Sequence, residues 1–424
     1  MKKFITLLVV WLLAAAYGIA QPVGSGTNGL DDLITEALRN NPEIRAAVYR
    51  MDAAGARVLQ ESALDDPELT YMRDEMPGFR WKDAMYSRLE LSQRIRFPSK
   101  LVRQSELAEI QVEHAHHDHM EKANEVLAAL KSAYYELWFV QQSIRLTEQN
   151  SRLLKQFTEI AQTKYGVGLV PQQDVLKAYV EGAKNDNQLV SLRQRELGTK
   201  AMIMAILNRP STDTLGSAIL ADRIDFIPAL EQVEQLALMN RPMLLHDSLA
   251  VEESRLRLSL ARSEYLPDFS FALQYVTSPI GDFSGWGIKA AISLPFAPWT
   301  LAKTNARSEE AAISIRTSAV MYNASRNAVL ADARDLYFKI QSAKRQAESY
   351  RTVVLPQARQ SLQASMIAYQ NGKTDFLMLI DAYRTLVELE MESLMVRTEF
   401  EKNVAELERA VGVPDIAGLK EERN

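Results

Sequence analysis

The sequence predicts a mainly α-helical protein with a small β component, built as two similar units of helix, β-hairpin, long helix and return helix. Three observations predict it. The first is a duplication: Asn40-Asn41-Pro42 returns 200 positions later as Asn240-Arg241-Pro242, and Pro67 returns as Pro267. After a small insertion the echo resumes at a spacing of 204, with Tyr165, Gly168, Ala178 and Pro210 answered by Tyr369, Gly372, Ala382 and Pro414. Identity between the halves is low, so the weight falls on the turn-making residues, which persist longest in a repeat because they encode chain reversals. The second observation is the stretch Ser99 to Tyr165, which contains no Gly or Pro. The third is a pair of alternating segments in each half, with the period of two that marks strands.

Taken in order, the chain opens on Lys2 and Lys3, an apolar run from Phe4 to Ala16, and the small residues of Gly18-Ile19-Ala20. Residues 1–20 therefore read as an export signal cleaved after Ala20, the apolar run being short for a membrane span. There is no cysteine in the 424 residues. Disulfides, zinc–thiolate sites, thiol catalysis and lipid attachment through an N-terminal Cys are excluded. No later stretch reaches the run of about eighteen apolar residues of a membrane helix, so contact with a membrane must come through β-strands or along a surface. The first unit is expected over residues 21–210, a linker over 211–228, the second unit over 229–414, and a tail over 415–424.

Within the first unit, residues 43–66 form a helical stretch broken only by Gly55, residues 99–165 one very long helix, and residues 172–207 a third. At about 1.5 Å per residue the long helix would reach roughly 100 Å. The two flanking helices together match its length, which predicts that they stack end to end beside it: a rod, not a globule. Leu127, Leu130, Tyr134, Leu137 and Ile144 fall at alternating steps of three and four, with Gln141 in the remaining slot. Leu386, Leu389, Val396, Phe400, Val404, Leu407 and Val411 do the same in the second unit. Such stripes predict helices packed side by side at a small crossing angle, as in coiled coils or an ordinary helical bundle.

The hairpin strands are expected at about 67–77 and 84–98, and at about 267–277 and 286–295. From Ser87 to Phe97, Leu89, Leu91, Ile95 and Phe97 face one way while Arg88, Glu90, Arg94 and Arg96 face the other. In the second unit Phe269, Phe271, Leu273 and Tyr275, then Trp286, Ile288 and Ile292, form the apolar side. Segments of about ten residues with one apolar and one polar side are the signature of a membrane β-barrel with a wet interior, and Phe79, Trp81, Phe283 and Trp286 near the tips suit an aromatic girdle. Four strands cannot close a barrel, and lipid tolerates no open edge, so this reading requires oligomerisation. Two copies would give eight strands with an interior filled by side chains; three would give twelve and a pore.

The export signal, the duplicated units, the strand ends Arg96-Phe97-Pro98 and Ser293-Leu294-Pro295, and the turn Tyr165-Gly166-Val167-Gly168-Leu169 followed by Asp174-Val175-Leu176-Lys177-Ala178 together resemble the TolC-like outer-membrane efflux proteins. The resemblance covers essentially the whole mature chain. It implies a homotrimer with a twelve-stranded barrel in outer-membrane lipid, continued by an α-helical barrel across the periplasm, docked on a periplasmic adaptor and an inner-membrane pump that export drugs, metal ions or proteins. It places the adaptor contacts on Gly168, Leu169 and Val170, and on Gly372, Lys373 and Thr374. It places an acidic gate residue at Asp381; the family's other gate position carries Met378 here, and Asp375 is the candidate replacement.

Four of the five histidines lie in one run, His114, His116, His117 and His119, on a helix about 25 Å beyond the strand. His116 and His119 share a face, as do His114 and His117, a spacing that suits a divalent cation and points toward the heavy-metal branch of the family. No GxSxG, phosphate loop, HExxH or dinucleotide fingerprint occurs, so no enzyme activity and no cofactor are expected. A net charge of −5 gives nucleic-acid binding no electrostatic support. The expected function is a passive exit duct gated at its periplasmic tip. A protein-secretion channel and a soluble periplasmic helical scaffold are the alternatives.

Overall fold

The computed structural model describes residues 29–74, 84–210, 212–220, 228–278 and 283–416. The expected export signal, the Pro77-Gly78 turn and the aromatic pair Phe79 and Trp81 lie outside the described residues.

The first repeat comprises α1 (Leu30–Asn40), α2 (Pro42–Ser62), β1 (Glu68–Asp74), β2 (Tyr86–Ile95), α3 (Pro98–Gly166) and α4 (Gln172–Ile206). The second comprises α5 (Leu230–Asn240), α6 (Pro242–Ser263), β3 (Phe269–Ser278), β4 (Phe283–Ile292), α7 (Pro298–Ser349), a π-turn (Tyr350–Val354), α8 (Leu355–Gln370) and α9 (Phe376–Val411). Pro42, Pro98, Pro242 and Pro298 each open a helix, where a missing N–H costs nothing and the fixed φ is already helical. Helix α3 runs 69 residues without interruption. It is flanked by α2 and α4 from its own repeat and by α6 and α9 from the other.

The end-to-end stacking of α2 and α4 rests on Asn41. Its Oδ1 accepts from the backbone N–H groups of Glu43 and Ile44, capping α2, while its Nδ2 donates to Ile206 O at 2.8 Å at the end of α4. Arg241 holds the corresponding place in the second repeat. It is too long to cap its own helix, but its Nη1 donates to Arg409 O near the end of α9, and its Nη2 pairs with Glu121 of α3 at 2.8 Å. The same junction is thus made once by a small amide and once by a buried ion pair. Gly412 ends α9 at φ 77° directly beneath this junction, where a Cβ would stand 2.3 Å from Asn240 O.

Three apolar clusters form the core. Leu33 and Ala37 of α1 pack with Ala133 and Val140 of α3 and with Ile203 and Leu207. Val233 and Ala237 of α5 pack in the same way with Ala333 and Ile340 of α7 and with Leu407 and Val411. These two are the same cluster made twice. The third lies at the turn end, where Leu154, Phe157 and Ala161 of α3 meet Val175 and Ala178 of α4, Leu362 and Tyr369 of α8, and Phe376, Leu379 and Tyr383 of α9. Gln141, the polar member of the first stripe, is satisfied beside the first cluster: its Oε1 accepts from Ala218 N at 2.9 Å and its Nε2 donates to Glu196.

The change of repeat spacing has a structural address. Buried Ala333, Ile340 and Ala343 lie 200 positions beyond buried Ala133, Val140 and Ser143, whereas Ala358 packs in the turn-end cluster 204 positions beyond Leu154. The four extra residues therefore enter between 343 and 358, where Tyr350–Val354 are wound as a π-turn. At about 100° per residue, four residues overshoot a full α-turn by about 40°. A wider i→i+5 turn absorbs that excess and returns the following side chains to the same face. Pro356, just beyond, cannot donate to the carbonyl four residues earlier, so the ladder is already broken at this point.

The four strands form one antiparallel sheet in the order β1-β2-β3-β4, so the two hairpins join through β2 and β3. Strand β4 begins at Phe283, three residues before the expected start, because Gly285 and Gly287 pair in register with Val276 and Gln274. Gly287 leaves room for Gln274, whose Nε2 lies 2.7 Å from where a Cβ would stand.

Candidate functional site

The sheet separates its residues by chemistry across all four strands. One face carries the rows Leu69–Leu91–Leu273–Ile288 and Tyr71–Leu89–Tyr275–Trp286. Ile288 is 83% exposed and Trp286 72%, so none of the described residues covers this apolar face. The other face carries Thr70–Glu90–Gln274–Gly287 and Glu68–Ser92–Ala272–Lys289, with Arg88 and Arg94 beside them. Lys289 pairs with Glu90 at 3.4 Å and Arg88 with Asp74 at 3.7 Å. A single sheet with an exposed apolar face and an ion-paired opposite face is inside out for water; it suits lipid on one side and an aqueous lumen on the other. Among the described residues strands β1 and β4 each have one neighbouring strand, which leaves two open sheet edges.

Asp268 joins the sheet to the helices. Its Oδ1 accepts from Phe97 N at 3.1 Å and from Lys100 Nζ at 2.7 Å, and its Oδ2 accepts from Arg94 at 3.0 Å. Lys100 also donates to Leu266 O. The exits of β2 and the entry of β3 are thereby tied to the start of α3.

At the opposite end the two turns share one backbone. Gly168 and Gly372 sit at φ 75° and 69°, in the left-handed region. Leu169 N donates to Lys164 O, and Lys373 N to Ala368 O, both at 2.9 Å, which closes each helix with the same C-terminal motif. Their side chains differ: Val167 and Leu169 project apolar surface, 68% and 72% exposed, where the second turn offers Asn371 and Lys373. Asp375 caps α9 by accepting from Met378 N at 3.0 Å. Asp381 lies exposed on the first turns of the same helix.

The turns are linked across the repeats by contacts that the sequence alone did not pair. The Tyr369 ring is buried, its hydroxyl lies 3.5 Å from Asp174 Oδ2, and its carbonyl accepts from Lys164 Nζ. Burial, followed by the charge of Asp174, pushes the Tyr369 hydroxyl up to about 12, so it remains a donor at every physiological pH. Burial likewise raises the Asp174 carboxyl. About two turns further along α4, Arg384 of α9 donates to Glu181 Oε1, which Lys184 also contacts at 3.1 Å. The hydrogen bond from Arg384 holds the Glu181 carboxyl below the usual range. The only sequence signal for these pairs was Asp174 standing where the second repeat has Met378.

The histidine run is divided by the fold. His114 turns into the seam between α3 and α6, where its ring centroid lies 4.2 Å from that of His246, the fifth histidine, which sequence reasoning left aside. His116 is exposed, its ring tilted against that of His117 with centroids 5.6 Å apart, and His119 is half-buried on the same helix. Burial lowers the basicity of both His114 and His117. Among the described residues no group of three or more His, Asp or Glu side chains is placed to hold a metal ion.

A duplicated unit whose sheet is made for a bilayer and whose helices form a long rod defines a subunit of a membrane channel. The model of the outer membrane efflux protein family matches residues 33–209 and 233–413, one match per repeat, and the chain belongs to that family. It is 20% identical over 397 residues to the cobalt-zinc-cadmium resistance protein CzcC of Cupriavidus metallidurans, covering 92% of this chain and 91% of that one. Among solved structures it superposes on CusC with a TM-score of 0.79 at 18% identity, covering 93% of this chain and 96% of that one. On the open state of the Neisseria gonorrhoeae MtrE outer membrane channel the TM-score is 0.76 at 15% identity, with coverage of 93% and 94%. The protein is an efflux channel of the outer membrane that extends into the periplasm.

Proposed function

We propose that three copies of the chain close a twelve-stranded barrel and a helical tunnel that serves as the exit duct for divalent metal cations, gated where the two turns meet. The observation that carries this reading is the sheet with an apolar outer face and two open edges. The edge of β4 needs a strand, and the β1 edge of another copy is the surface that supplies one without exposing backbone to lipid. Two copies would give a filled barrel; three give a lumen wide enough for the ion-paired face to stay wet. Nothing in the chain carries a nucleotide motif, so energy comes from an inner-membrane pump reached through a periplasmic adaptor. The adaptor meets Gly168, Leu169 and Val170 at one turn and Gly372, Lys373 and Thr374 at the other. Asp381, exposed near the second turn, is assigned to the gate. Asp375 contributes to it mainly by capping α9.

The cross-repeat pairs Arg384–Glu181 and Tyr369–Asp174 hold the closed tip, because opening must move α9 relative to α4. Metal cations are favoured as cargo by the similarity to a metal-resistance protein along nearly the whole length. Deleting the gene and challenging cells with a panel of metal ions, dyes and detergents tests the cargo. Sensitivity confined to divalent transition metals supports it, and sensitivity to dyes and detergents alone overturns it. Crosslinking in detergent that yields dimers and no trimers overturns the assembly.

A further inference from the structure

We infer that the junction between the two repeats inside one chain is rebuilt between copies: α7 and β4 of one copy take α2 and β1 of the next, in the register in which α3 and β2 take α6 and β3. This rests on the three-copy assembly proposed above and adds the surfaces and the register that would close it. The two long helices are not equally covered. Helix α3 packs against α2 of its own repeat and against α6 of the other. Helix α7 packs against α6 of its own repeat, but among the described residues no comparable α7–α2 packing exists.

The uncovered side of α7 is a side that α3 covers. Ser99, Arg103, Ile110 and Glu121 of α3 are half-buried, while their counterparts 200 positions on, Trp299, Lys303, Glu310 and Met321, are exposed. Steps of four, seven and eleven from the first keep one helix face, so these residues form a single stripe. Helix α2 shows the complementary loss. Leu245, Leu249, Glu253 and Leu256 of α6 are half-buried, whereas Arg45, Tyr49, Ala53 and Ala56 of α2 are exposed, again on one face. Trp299 at 82% and Tyr49 at 60% are large side chains to leave uncovered. Each stripe is the face that its counterpart helix turns toward the other repeat, and a second copy supplies both missing partners at once.

The contacts of the internal seam set the register. Gln111 Nε2 donates to Glu253 Oε1 at 2.7 Å, and His114 Nε2 lies 3.3 Å from Glu253 Oε2. One repeat away the same places hold Ala311, Ser314 and Ala53, so α7 meets α2 through small side chains that let the helices approach closely. The exchange also discriminates. An α6 seated on α7 would press the Glu253 carboxylate against Ala311, which lacks the donor that Gln111 provides. For the strands the template is Ile95 opposite Phe269. Ile292 precedes Pro295 as Ile95 precedes Pro98, and Leu69 follows Pro67 as Phe269 follows Pro267. The pair between copies is therefore Leu69 with Ile292. Both lie on the apolar face, 66% and 54% exposed, so this register carries that face across the join, where a slip of one residue would reverse it.

The chain has no cysteine, so introduced thiols report only on their own positions. In full chains purified in detergent, Leu69→Cys with Ile292→Cys should oxidise to a covalent ladder that stops at three copies. Ala53→Cys with Ser314→Cys should give the same ladder with a short bis-maleimide. Co-expressing Leu69→Cys chains with Ile292→Cys chains should give covalent dimers and nothing larger, since each copy then holds one thiol. Tyr71→Cys with Ile292→Cys, two residues out of register, should link at least about tenfold less, because the separation exceeds the reach of a disulfide. The native mass of the cysteine-free parent separates the two levels of the proposal. A parent that forms no trimer overturns the assembly and the seam together. A trimeric parent whose Leu69–Ile292 or Ala53–Ser314 pair stays unlinked, or whose Tyr71–Ile292 pair links as well as Leu69–Ile292, overturns the seam and leaves the assembly standing.

Discussion

Removing the Arg384 guanidinium should open the channel without unfolding it. Glu181 is 10% exposed at its side chain and Arg384 52%, so the pair is half in water and its worth is discounted to about 1 kcal/mol per chain. Lys184 stays 3.1 Å from Glu181 in Arg384→Ala, which prevents the carboxylate from being left buried and unpaired. If three chains open in concert, about 3 kcal/mol shifts the closed–open equilibrium by more than about a hundredfold. Single-channel conductance in planar bilayers reads this directly: the parent should be mostly closed and Arg384→Ala open for a large share of the time. Glu181→Gln should behave alike, and the double variant no worse than either single, because both remove one interaction. Arg359→Ala is the control, since its partner Glu390 lies 2.8 Å away within the α8–α9 pair and joins no separate repeat. Parent-like conductance in Arg384→Ala, or a double variant equal to the sum of the singles, would refute the assignment of this pair to the closed state.

The turn glycines separate conformation from space. Gly168→Ala and Gly372→Ala should each cost about 1–2 kcal/mol from positive φ alone, since nothing lies within 4 Å of the added Cβ. Gly412→Ala should lower the melting temperature much more, because there the Cβ meets the Asn240 carbonyl at 2.3 Å; equal shifts at the three sites would contradict the geometry. At the helix junctions, Asn41→Ala should cost about 1 kcal/mol as a lost cap and Arg241→Ala about 2 kcal/mol, since buried Glu121 loses its nearer guanidinium and keeps Arg409 at 4.0 Å, an order that thermal unfolding checks. On acidification, the Glu181 carboxyl, held low by Arg384, contributes stability above its unfolded value of about 4.5 and loses it as pH falls through its lower folded value. Burial raises Asp174, whose ionised form is the unfavourable one, so its protonation relieves the tip. Conductance should therefore stay low from about pH 8 to about pH 5 and rise only below about pH 4.5, and the rise should vanish in Glu181→Gln. A rise near pH 6 would point to histidine instead.

The helices and strands were legible because each is signalled locally. Proline and glycine mark the ends of α2, α3 and α4, and the alternation of Leu89 and Leu91 with Arg88 and Glu90 marks both the strand and its two faces. The gate pairs were not legible, because Arg384 and Glu181 lie about two hundred positions apart and a charged residue on a helix carries no mark of its partner. Periodicity misled in one respect. Spacing along α3 groups His114 with His117, but the fold pairs it with His246, an isolated histidine that gave no local signal. What the helical period does supply is the face on which His114 sits; which helix covers that face is decided by the second repeat.

The repeats differ most where function would use a difference. Before residue 343 the helices of the two units keep the 200-position spacing, down to the paired clusters around Leu33 and Val233. Beyond it, the second unit carries four additional residues, a π-turn and Pro356, none of which the first possesses. The π-turn residues include no buried side chain, and the tie at this level is Tyr350, whose hydroxyl donates to Glu392 Oε2 at 2.7 Å. A helix without a full i→i−4 ladder and without core contacts bends there more readily than on either side. The segment beyond, α8 with α9, carries the second turn and Arg384, while its counterpart α3 runs unbroken to the first turn. One turn of each chain is therefore mounted on a rigid rod and the other on a jointed one. If the tip gates as proposed, the second turn is expected to move, with Arg384–Glu181 as the contact that must break, and locking the π-turn by substitution should suppress opening in bilayer conductance.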